Sequence, residues 1–123
     1  MMNKSFLPAD DLPPTETSGI DKMLRWQLER STGRCFFEAS DHITRALLSN
    51  SQWYITTDGN TLMLVIDAPD IVTYWHIVSN IPRIGNRLQR FASSAKLRVY
   101  PPFGKGLPFE ISVNEIAAYR DWV

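Results

Sequence analysis

The sequence has a single cysteine, Cys35, among its 123 residues. No internal disulfide can form, so no cystine framework holds the fold together. Long apolar runs are missing as well. The longest, Leu62 to Ile66, falls far short of the roughly twenty residues of a membrane-spanning helix. The stretch Met1 to Asp11 contains no apolar core of the kind a secretory leader carries. These absences give the expectation of a cytoplasmic protein with no membrane contact. Net charge is absent too: thirteen Lys and Arg balance thirteen Asp and Glu. With 44% apolar residues, that balance excludes a wholly disordered chain. A sequence pI of about 6.7 argues against a dedicated nucleic-acid binder, whose domain pI commonly exceeds about 9.

Motifs for catalysis and cofactor binding are also lacking. Gly104-Lys105-Gly106 continues into Leu107, where a phosphate loop needs Ser or Thr after its lysine and then a helix. Glu38 stands four residues before His42, but across an expected element boundary, where that spacing fixes no geometry. His76 has no second ligand at the helical spacings that build a metal site. Asp67-Ala68-Pro69-Asp70 lacks the alternating acids of a calcium loop. Cys35, beside Phe36 and Phe37, is expected to be a buried small hydrophobe. No catalytic residue, metal ligand or cofactor is assigned from the sequence.

What is present is a legible string of elements. Residues 1–19 hold three prolines and a glycine among acidic and hydroxyl residues and show no period. They read as a flexible tail preceding one domain, residues 20–123. Ile20, Met23, Leu24, Gln27 and Leu28 recur at helical spacing, which predicts a helix to about Ser31, stopped by Gly33. Cys35 to Ala39 reads as a short aromatic strand. Asp41 is placed to cap a helix to Ser49. Gln52 to Thr57 and Thr61 to Ile66 flank Asp58-Gly59-Asn60, the chemistry of a tight hairpin turn. The unbroken run of the second strand predicts burial on both faces.

Asp70 is placed to cap a helix whose stripe is Ile71, Tyr74, Trp75, Val78 and Ile81. Pro82 breaks it and opens another. Lys96 to Tyr100 and Phe109 to Val113 alternate as strands around a proline-framed loop, and a last helix is expected over Glu115 to Trp122. The class is α+β in a single domain. The order over residues 35–100 is that of a ferredoxin-like β-α-β-β-α-β core, with an added N-terminal helix and a C-terminal strand and helix. An antiparallel meander sheet with helices on one face is the alternative.

Charge is unevenly spread. No Asp or Glu lies between Ile71 and Phe109, where Arg83, Arg87, Arg90, Lys96, Arg98 and Lys105 fall. The three arginines share one side of a helix and form a candidate surface for a polyanion or an acidic partner. Aromatic stacking positions on the central strand are absent, so nucleic-acid binding rests on charge alone. Trp26 lies off its helix's apolar stripe, Trp122 is penultimate, and Phe103 and Leu107 sit in the proline-framed loop. All four are candidate protein-interface residues. The leading expectation is a small interaction or regulatory domain without catalytic activity, acting on a protein partner or on itself as a homo-oligomer. Polyanion binding is the alternative. A small-molecule sensor or enzyme, with a pocket near Tyr74, His76 and Tyr100, is a third reading.

Overall fold

A computed structural model describes residues 14–103 and 106–116. Its elements run α1 (Pro14–Ala39), α2 (His42–Ser49), β1 (Gln52–Asp58), β2 (Thr61–Asp67), α3 (Ile71–Ser79), α4 (Ile81–Leu88), β3 (Ala95–Tyr100) and β4 (Phe109–Ser112). A 3-10 turn over Val113–Glu115 follows. The hairpin forms where turn chemistry places it. Gly59 adopts φ 64°, and β1 pairs antiparallel with β2 from Gln52↔Asp67 to Asp58↔Thr61. β3 lies parallel to β2, and β4 closes the sheet antiparallel to β3, giving the order β1-β2-β3-β4. A parallel neighbour requires a long crossover, and α3 with α4 supplies it.

The domain is therefore α+β with a four-stranded mixed sheet. The ferredoxin-like order is not the one observed, and neither is an all-antiparallel meander. The reason lies at Cys35–Ala39, which is the end of α1 and not a strand. Gly33, Phe36 and Ser40 repeat at helical spacing and are all buried, so packing selects a helix over the strand preference of paired phenylalanines. Gly33 does not stop the helix either. It packs against the Trp53 ring, which lies 3.6 Å from where a Cβ would stand, an ordinary contact distance. α1 also starts at Pro14, within the segment read as tail; residues 1–13 lie outside the described residues, as does most of the expected last helix.

Side chains alternate along each strand, so register assigns the faces. Ile55, Leu64, Leu97 and Ile111 align across one face and are buried. Phe36, Leu48, Ile77, Ile81, Ile84 and Leu88 from the four helices join them in one core. β2 is buried on both faces, with Met63 and Val65 enclosed on the second. The helix starts are held by short-range chemistry. Thr44 donates its amide to Asp41 Oδ1 at 2.8 Å, and Thr73 donates to Asp70 Oδ1 at 2.7 Å. Pro82 sits in the first turn of α4, the position a proline tolerates. Gly85 lets the chain after β4 close on α4, because a Cβ there would collide with Ile116 Cδ1.

Candidate functional site

α1 is built with two opposed sides. Its second half docks on the sheet. Phe36 is fully buried and meets Trp53 and Phe91 edge-on, with ring centroids 6.2 and 6.1 Å apart. One turn and more upstream, Glu29 reaches the outer edge of β1. Its Oε2 accepts from the Thr57 amide at 2.8 Å and from the hydroxyls of Thr57 and Thr56 at 3.0 and 3.1 Å. An edge strand exposes unpaired main-chain groups, and this carboxylate occupies one of them.

The apolar stripe read from the sequence lies elsewhere. Ile20, Met23, Leu24 and Leu28 are 56, 62, 60 and 64% exposed. At about 100° per residue, their mean direction is roughly opposite that of Glu29, Gly33, Phe36 and Ser40. The expected core-facing stripe is thus a correction: it points away from the body of the domain. An amphipathic helix ordinarily turns its apolar side to its own core. Here the inner side begins only at Glu29, because the sheet ends beside that residue.

Between these two sides runs a groove of about 890 Å³, bounded by α1 and by β1. Trp26 lines it at 55% exposure, with the Arg30 guanidinium carbon 4.8 Å from its ring centroid. Arg34 stands one turn further on. The Phe37 and Trp53 rings stack at 6.0 Å with an interplanar angle of 13°. Sequence reading singled out Trp26 but missed Arg30, Arg34 and Phe37. The spacing Trp26, Arg30, Arg34 at i, i+4, i+8 was the available signal.

The six basic candidates do not form one patch. Arg83 is held by Asp41 at 2.9 Å. Lys96 and Arg98 lie on the second face of the sheet, across β3 from the helices, and converge on Glu110 at 3.8 and 2.7 Å. The Glu110 hydrogen bond holds the Arg98 pKa above its ordinary value, with a smaller contribution from Tyr100. Burial alone would raise the Asp41 pKa. The Thr44 amide and the Arg83 guanidinium outweigh it and lower the value to about 2. Arg87 on α4 and Arg90 just beyond it have no ion pair among the described residues. Lys105 and Trp122 lie outside the described residues.

Phe103 and Leu107 are almost wholly exposed, so the proline-framed loop does present apolar side chains. Trp75, expected in a core stripe, is exposed instead, with Ile71 and Val72 beside it. It stands edge-on to Tyr74 at 5.2 Å, while Ile77 supplies the core contact of α3. Cys35 is exposed rather than buried, because it sits on the outer side of α1. His42 and His76 are exposed as well. Among the described residues, no cluster of three or more His, Cys, Asp or Glu could hold a metal, and no helix is long and apolar enough to cross a membrane. No family model, curated protein or solved structure matches the chain.

Proposed function

We propose that the protein is a non-catalytic interaction domain of the cytoplasm that self-associates by pairing the outer sides of α1. The observation that supports this is the outward stripe of Ile20, Met23, Leu24 and Leu28, each more than half exposed. The stripe offers on the order of 500 Å² of exposed surface, near the upper end for a monomer. Two copies together bury about 1,000 Å², the lower bound of a specific interface.

A second copy is the occupant that suits this surface best. A two-fold axis places the same stripe opposite itself, and an apolar stripe is complementary to itself. The charges that flank it, Asp21 and Arg25, are of both signs, so nothing in them selects a strongly acidic or basic partner. The body of each domain lies on the far side of its own α1, so two bodies do not collide when the helices meet. Light scattering coupled to size exclusion tests the proposal. The wild type elutes at twice its 14.1 kDa chain mass, and Leu24→Glu with Leu28→Glu elutes as a monomer of unchanged helicity. A monomeric wild type at high micromolar concentration, or a dimeric variant, overturns it.

A further inference from the structure

The groove beside α1 is distinct from the outer stripe and has its own chemistry. Its floor is rigid and flat: Trp53 is fixed by the Phe37 ring stacked on it and by Phe36 edge-on to it. Along the helix, Trp26, Arg30 and Arg34 follow one another at single turns. The Arg30 guanidinium already covers the Trp26 ring at 4.8 Å. Glu29, which lines the groove, is committed to β1 through three hydrogen bonds on one oxygen. Neither arginine has an ion pair among the described residues. Two like charges one turn apart repel, and guanidinium groups present paired donors that match carboxylate and phosphate oxygens. The volume, about 890 Å³, falls within the range of small-molecule sites, which join apolar walls to a few polar groups.

We infer that this groove binds a planar aromatic ring carrying one anionic group. The ring lies against the indoles of Trp26 and Trp53, and the anion sits between Arg30 and Arg34. Aromatic faces favour offset stacking with a flat ligand, and the guanidinium pair supplies the charge that a purely apolar groove lacks. The anion is a carboxylate or a phosphate, since both match the same donors.

Titration of the full chain with 1-anilinonaphthalene-8-sulfonate, an anionic aromatic fluorophore, tests this. Binding at one site per chain, with quenching of tryptophan emission, is expected. Arg30→Ala with Arg34→Ala weakens it at least ten-fold, while the neutral N-phenyl-1-naphthylamine changes less than two-fold. Should the double variant fail to fold, the exposed Arg34→Gln alone gives the same selective loss, at least three-fold. Displacement by indole-3-acetate assigns the carboxylate, displacement by phenyl phosphate assigns the phosphate, and displacement by neither overturns the proposal. Equal losses for the anionic and neutral probes also overturn it. So does a ten-fold loss in Leu24→Glu with Leu28→Glu, since that places the fluorophore on the outer stripe. Unchanged binding in that variant keeps the groove independent of self-association.

Discussion

The two sides of α1 end in opposite environments, and the more apolar side is the one in solvent: Ile20, Met23, Leu24 and Leu28 face out, while the inner side is Glu29, Gly33, Phe36 and Ser40. Phe36 is sealed in the core, while Leu24 and Leu28, about two to three and a half turns earlier, stand in solvent. Hydrophobicity alone does not decide which side is buried. What distinguishes them is the reach of the sheet, since β1 runs alongside the helix only as far as Glu29 and Thr57. Apolar residues beyond that point have no surface of their own chain to cover them. A buried apolar side chain reports the fold, and the outward apolar stripe is the feature on which the proposed self-association rests.

The largest break in this comparison is Phe36→Ala. It empties a fully buried aromatic site between Trp53 and Phe91, and a loss of about 3–5 kcal/mol in urea denaturation is expected. Glu29→Ala comes next. It strands the Thr57 amide at the sheet edge and costs about 1–3 kcal/mol, with faster hydrogen exchange at Thr57 as its local signature.

Asp41 gives a smaller effect with a pH dependence of known sign. Its folded pKa, about 2, lies below the ordinary 3.8. Its contribution is therefore complete above about pH 4 and is lost as the pH falls toward 2. Asp41→Ala removes the cap of α2 and the Arg83 pair. It costs about 1 kcal/mol at neutral pH and flattens that acid limb of the stability curve. The smallest effect on the monomer is that of Leu24→Glu with Leu28→Glu. Measured at dilutions where the wild type is monomeric, its stability stays within about 0.5 kcal/mol, as expected of surface sites.

Much of the fold was legible because it is set locally. The Asp58-Gly59 turn, the caps Asp41 and Asp70, the break at Pro82 and the alternation of Lys96 to Tyr100 depend on a few neighbouring residues each. The element that misled is Cys35-Phe36-Phe37. Its strand preference is real, but Phe36 is three residues from Gly33 and four from Ser40, and only contacts distant along the chain, the rings of Trp53 and Phe91, show that this face is buried. Periodicity likewise revealed the stripe from Ile20 to Leu28 but carried no direction. A period says that one side is apolar, not whether its own sheet or another molecule covers it. The basic residues show the same limit. Arg83, Arg87 and Lys96, Arg98 are close in sequence, yet the sheet lies between the two pairs.

Cys35, exposed on the outer side of α1 and the chain's one cysteine, allows the central claim to be tested without adding a label site. A nitroxide attached there is read by pulsed dipolar spectroscopy. If outer sides pair, with helix axes about 8–10 Å apart, the wild type gives one defined intermolecular distance, and Leu24→Glu with Leu28→Glu abolishes it. A wild-type sample with no dipolar modulation at concentrations near 100 μM, or a variant with the same distance, contradicts the account.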